Sequence, residues 1–240
     1  MRPTLTLIFL VALLYGCGTM HQLQKVRSQV PILGSIGQPQ SSLFKKEFQK
    51  IGEPHFANPI SVSMESFPLS GKTKVRYENY RERMGMTPLF STMDSAQLTG
   101  FRCFQIEIND AVSVVKALND AQNANLKTYL KENMNLVMLS EISFVADAEL
   151  SKKLEIAEKL YLTTNQSGAL TLKINDERKG YAIQLSYMDI FDYDTASFCW
   201  SKNKRGDLQI AQILLDGGTC PGNTEANPEK LNNIPDYLKL

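Results

Sequence analysis

Tyr181-Ala182-Ile183-Gln184-Leu185-Ser186-Tyr187-Met188-Asp189-Ile190-Phe191-Asp192-Tyr193, with Phe198-Cys199-Trp200 just beyond it, is the stretch whose reading decides the fold class. Tyr181, Ile183, Leu185, Tyr187, Phe191 and Tyr193 fall on one parity, the period of a strand with one apolar face. Polar turns bracket it. Residues 175–180 lie between it and a strand over 169–174, and residues 201–206 turn the chain into a returning strand over 208–215. Strands joined in order by short polar turns predict an antiparallel meander. The aromatic stripe reads as sheet core ahead of a ligand platform.

Working back toward the N-terminus, the period changes. Residues 136–146 have strand composition, and Phe101-Arg102-Cys103-Phe104-Gln105-Ile106-Glu107-Ile108 alternates as a strand. Between them Asp110 stands where it caps a helix through Val112, Val115 and Leu118. A second helix follows, with Asn119 and Gln122 spaced as a capping box and Leu126, Tyr129 and Leu130 on its apolar side. Residues 150–162 read two ways. Leu150, Leu154, Ala157 and Tyr161 suit a helix, favoured at its start, while Leu154, Ile156, Leu160 and Leu162 suit a strand. Residues 60–64 alternate between Pro59 and Pro68, and 74–83 is open between an edge strand and a helical turn. Ser42 caps a short helix carrying Leu43, Phe44, Phe48 and Ile51, which Gly52 ends. The pattern predicts α+β: an antiparallel sheet, flat or curved, with the middle helices packed on one face.

The first sixteen residues differ from all of this. Arg2 and the free amine precede an apolar run over 5–14, which is the layout of a secretory signal, too short to stay as a membrane span. Leu14-Tyr15-Gly16-Cys17 ends it. These four residues resemble the lipobox of bacterial lipoproteins. The resemblance implies cleavage before Cys17, a diacylglyceryl thioether on its sulfur and an acyl chain on its new amine. More than one acyl chain gives stable attachment to a bilayer. Gly18 stands where an inner-membrane retention signal carries Asp, which by the same resemblance favours the outer membrane, facing the periplasm. Residues 1–16 then form the signal peptide, 17–41 a lipidated tether broken by Pro31, Gly34, Gly37 and Pro39, 42–220 one globular domain, and 221–240 a C-terminal tail.

Composition narrows the function further. The chain has 240 residues, 43% hydrophobic and 21% charged, the proportions of a globular protein. Lys and Arg number 26 against 25 Asp and Glu, and losing Arg2 with the signal leaves 25 against 25. A neutral chain has no electrostatic footprint for nucleic acid or anionic lipid, so the membrane partner is reached through the lipid on Cys17. Cys103, Cys199 and Cys220 remain after processing, an odd number in a compartment that permits disulfides. Cys199–Cys220 is the favoured pair. Cys103 with either partner, or no bridge, stays open.

Residues suited to chemistry are few. His21 lies in the tether, and His55, between Pro54 and Phe56, is the one histidine placed to act as a general base, though a plain surface loop explains it better. The best polar constellation is Asp189, Asp192 and Asp194, set among aromatics. If the chain bends near Phe191 they gather at one end of the sheet, as hard ligands for calcium or as an acid and base on a glycosidic bond. Solvated turn residues are the plainer reading. Arg76, Tyr77, Tyr80, Arg81 and Arg83 suit an anionic partner such as a cell-wall carboxylate, but Glu78 and Glu82 cancel most of their field. Lys202-Asn203-Lys204-Arg205-Gly206 reads as a soluble hairpin tip. The reading favoured here is a lipid-anchored envelope protein that binds or scaffolds, with an envelope protein or cell-wall glycan as partner and no cofactor. The alternatives are a glycan-directed hydrolase using Asp189, Asp192, Asp194 and His55, or a calcium-stabilised structural domain.

Overall fold

The structure is a computed structural model and describes residues 31–42, 45–89, 101–175, 180–215 and 217–232. Cys17, the lipobox, His21 and the tether before Pro31 lie outside the described residues, as do Leu43, Phe44 and 233–240. The strands are β1 (Ile36–Ser42), β2 (Lys45–Gly52), β3 (Ile60–Pro68), β4 (Arg102–Ile108), β5 (Val137–Ala146), β6 (Lys159–Thr164), β7 (Leu170–Asn175), β8 (Tyr181–Gln184), β9 (Asp189–Lys202) and β10 (Leu208–Leu214). The helices are α1 (Gly71–Arg83), α2 (Ala111–Asn119), α3 (Ala124–Glu132) and α4 (Ala148–Glu155). Among the described residues, no helix is long and apolar enough to cross a membrane. The fold is α+β, one antiparallel sheet curled into a half-barrel, with the helices in the middle of the sequence.

The strand order β10-β9-β5-β4-β3-β6-β7-β8 makes the curl a necessity. β8 and β9 stand six positions apart, which in a flat sheet is about 29 Å. Only five Cα steps join Gln184 to Asp189, a reach of at most about 18 Å. The sheet bends to let so short a link close. The expected meander therefore holds in two pieces, β6-β7-β8 on one side and β9-β10 on the other. The stretch from Tyr181 to Tyr193 is not one strand, because Leu185–Tyr187 is a 3-10 turn that resets the alternation. Leu185 is fully buried, whereas Tyr187 stands 74% exposed.

The core follows from the alternation of the central strands. Phe104, Ile106, Ile108, Ile142 and Phe144 are fully buried, and the Phe104 and Phe144 rings stack with centroids 5.8 Å apart. Each such side chain contributes roughly 1.5–3 kcal/mol by leaving water. Asp110 caps α2 through a bond from the Ser113 amide (3.0 Å), as its position predicts, and α2 turns Val114, Ala117 and Leu118 inward. Asn119 is no capping box. Its side-chain amide donates to the Ile210 carbonyl (2.7 Å) and accepts from the Ile210 amide (3.1 Å), binding α2 to β10. The two readings of 150–162 succeed one another, as α4 capped by Asp147 and then β6. Residues 74–83 are helical, within α1.

Two N-terminal expectations are corrected. The short helix over 42–52 is instead β2, paired with β1, and Phe48 is its buried side chain, edge-on to Tyr193 at 5.8 Å. Residues 31–41, read as the end of the tether, belong to the compact unit that begins at Pro31, where Ile32, Leu33 and Ile36 are core residues. The glycines that read as linker are packing requirements. A Cβ on Gly34 meets Leu162 Cδ2 at 2.6 Å, and one on Gly37 runs into the Gln49 carbonyl. β1 also fills the edge of β5 that β4 leaves vacant, pairing Ile36 with Met138 and Gly37 with Val137.

Candidate functional site: a carboxylate face latched by a helix

Asp189, Asp192 and Asp194 lie at the start of β9 and face Val145, Ser143 and Glu141 of β5 in turn. Directly opposed residues share a sheet face. On an unbroken strand, Asp189 and Asp192 would point to opposite faces. They do not, because the register steps from Phe144–Ile190 to Ser143–Asp192 and leaves Phe191 without a partner position. This bulge puts all three aspartates on one face. β4 continues that face, with Gln105 opposite Ser143 and Glu107 opposite Glu141. Glu107, Glu141 and Asp194 thus form a row across three strands. Gln105 Nε2 donates to Glu141 Oε2 at 2.8 Å. Burial, then Asp194, then Glu107 push the Glu141 carboxyl above its usual range, and the Gln105 bond works against them.

α1 lies at the Asp189 end of this face. Tyr77 is its one buried side chain, 2% exposed. The Tyr77 hydroxyl donates to Asp189 Oδ2 (3.0 Å), and its ring meets Phe191 edge-on at 5.6 Å. Arg81 Nη1 donates to the Tyr77 oxygen (3.2 Å) and lies 3.6 Å from Asp189 Oδ2. Arg76 Nη1 pairs with Asp192 Oδ2 at 2.8 Å. Tyr80 stacks on Tyr77 with centroids 6.3 Å apart. Burial and then the Asp189 charge raise both phenols, Tyr80 to about 12 and Tyr77 further, so both stay neutral.

The two polar groups that the sequence suggests separately therefore meet: Arg76, Tyr77, Tyr80 and Arg81 dock onto the segment of Asp189 and Asp192. Arg83 Nε donates to the Asn79 carbonyl within α1, and its charge acts on Tyr80 against the Asp189 charge. His55 stands apart. Its amide donates to Asn123 Oδ1 (2.8 Å), its carbonyl accepts from Asn123 Nδ2 (2.9 Å), and these bonds run to the α2–α3 turn instead of β9. Glu107, Glu141 and Gln105 had no mark in the sequence beyond strand alternation, because which strands adjoin is not written locally. The 202–206 tip is a turn organised by Asn203, whose Oδ1 accepts from the Arg205 and Asp207 amides.

Cys199 and Cys220 are joined by a disulfide, Cα to Cα 5.6 Å. β9 runs on to Lys202, so Cys199 sits inside a strand, and the tail returns beside it through paired backbone bonds between Trp200 and Glu225 (2.8 and 3.0 Å). Cys103 is a buried free thiol that burial raises to about 12. Among the described residues, no group of three or more His, Cys, Asp or Glu side chains is placed to hold a metal ion. Compared with protein-family models, curated proteins and solved structures, the chain matches none of them.

Proposed function

We propose that this chain is a lipid-anchored cell-envelope protein that works as a binding or scaffolding module. Its anchor is Cys17, read from the lipobox-like Leu14-Tyr15-Gly16-Cys17, with the outer membrane facing the periplasm as its place. The domain is presented to an envelope protein or cell-wall glycan through the face built by α1 and by β4, β5 and β9. One observation carries the binding reading. Asp189 and Asp192 are engaged by Tyr77, Arg81 and Arg76, which uses these carboxylates as docking points for a helix. An acid and base working on a glycosidic bond need their oxygens open to substrate.

The test is photo-crosslinking in intact cells, with a photoreactive residue at Asn79 or Glu107 on this face and, as control, at Lys204 on the hairpin tip. A partner captured from the first two positions and not from the third is expected. Equal capture from all three, or none, overturns the assignment of the face. For the anchor, Cys17→Ser is expected to leave the membrane pellet or stay unprocessed, and a mutant with unchanged mass and fractionation removes it.

A further inference from the structure

Like charges set directly across a strand ladder repel one another and cost stability. Glu107, Glu141 and Asp194 stand in that way on three adjoining strands, β4, β5 and β9. Glu107 and Glu141 are half-buried, which thins the water around them and strengthens the repulsion. The charges that press on Glu141 are carboxylates from both sides, Asp194 and Asp192 on β9 and Glu107 on β4, and the bond from Gln105 Nε2 offsets them only in part.

Ser143 stands next to Glu141 on the same face, between Gln105 of β4 and Asp192 of β9. It is 7% exposed, and among the described residues its hydroxyl takes no hydrogen-bond partner. A polar side chain this buried ordinarily has one. The face also shows which ligand suits it. At Asp192 it already takes a guanidinium, that of Arg76, at 2.8 Å. Among the described residues its carboxylates are not grouped to hold a metal ion. A row spread over strands about 4.8 Å apart suits instead the planar fork of an arginine or the mobile ammonium of a lysine.

We propose that the β4–β5 part of this face binds a lysine- or arginine-bearing segment of a protein partner, with the cation between Glu107 and Glu141 and a backbone carbonyl on the Ser143 hydroxyl. The segment supplies the counter-charge that relieves the row. A bound cation holds Glu141 as an anion and so expels the proton that burial, Asp194, Glu107 and Asp192 keep on it in acid. Affinity therefore rises as pH climbs from the ordinary carboxylate range through the raised value of Glu141, and levels above it. This partner chemistry rests on the binding reading above, although the site itself needs neither lipid nor membrane.

Carboxyl-carbon NMR on the full chain in neutral detergent tests the site, at low salt, with the peptide acetyl-Gly-Arg-Gly-Arg-Gly-amide as probe. The peptide is expected to shift the Glu107 and Glu141 signals together and to bring the Glu141 titration down toward the ordinary range. Glu107→Gln combined with Glu141→Gln is expected to bind it about tenfold more weakly, without the pH dependence, while melting higher at neutral pH. Stability gained as affinity is lost separates carboxylates kept for binding from carboxylates kept for the fold. Ser143→Ala is expected to weaken binding about threefold and to leave the pH dependence in place. Spermidine or calcium shifting the same signals as strongly as the peptide, a peptide affinity that the double variant leaves unchanged, or no shift at all overturns the proposal. Such a result leaves the crosslinking test in cells untouched, so the failure of this site and the failure of the binding reading are distinguishable.

Discussion

α1 and α2 flank one sheet and are held to it by opposite means. α2 buries Val114, Ala117 and Leu118, and two amide side chains lock its C-terminal end: Asn119 on the Ile210 backbone and Asn123 on the His55 backbone. Asn123 is 3% exposed and also donates to the Ala117 carbonyl (2.8 Å), so its polar atoms are well used. α1 buries Tyr77 alone and meets Asp189 and Asp192 through Tyr77, Arg81 and Arg76. Apolar burial backed by satisfied amides makes a permanent joint, because opening it exposes hydrocarbon and strands buried donors. Water and salt compete directly for a carboxylate latch. One sheet thus carries one helix packed through hydrocarbon and one docked through carboxylates.

Leu118→Ala is the strongest way to break this contrast. It should cost about 2–5 kcal/mol, read as a lower urea midpoint at unchanged slope. Tyr77→Ala removes more atoms, yet should cost below about 2 kcal/mol globally, since α1 adds to stability only its docking energy. Equal losses for the two would erase the distinction. Asn123→Ala should cost about 1–3 kcal/mol by leaving the His55 amide and carbonyl unpaired. Arg76→Ala should cost about 0–1 kcal/mol of stability, and less in high salt.

Glu141 sharpens the contrast through pH. Its carboxyl is raised by burial, then by Asp194 and Glu107, so the folded protein binds this proton more tightly than the unfolded chain. Stability contributed by this site therefore falls as pH rises from the ordinary carboxylate range through the raised value, and the cost persists above it. Glu141→Gln should raise the melting temperature at neutral pH, with the gain vanishing in acid. A gain that is constant with pH would mean that the row of carboxylates does not act through charge.

The legible parts were those in which neighbours in sequence do the work. The helix start at Asp110, the strand alternation of 101–108 and the turn at Asn203 each satisfy local backbone groups, and each can be read in a window of ten residues or fewer. The misread parts have distant partners. Phe48 looked like one position of an amphipathic helix because its real neighbours, in β1 and at Tyr193, are far along the chain. Gly34 and Gly37 looked like linker because the atoms that forbid a side chain there belong to Leu162 and Gln49. The site was half legible. Its aspartates and its arginines and tyrosines stood out as two groups, and nothing local joined them.

Sequence alone determined the α+β class, the near-balanced charge and the lipobox-like start, since each is a property of composition or of short-range period. Tertiary structure decided the strand order, the curl, the bulge at Phe191 and the meeting of α1 with β9. A strand carries the same alternation whichever neighbour it pairs with, and a one-residue step in register turns every following side chain to the other face. That step, made against β5, is what gathered Asp189, Asp192 and Asp194.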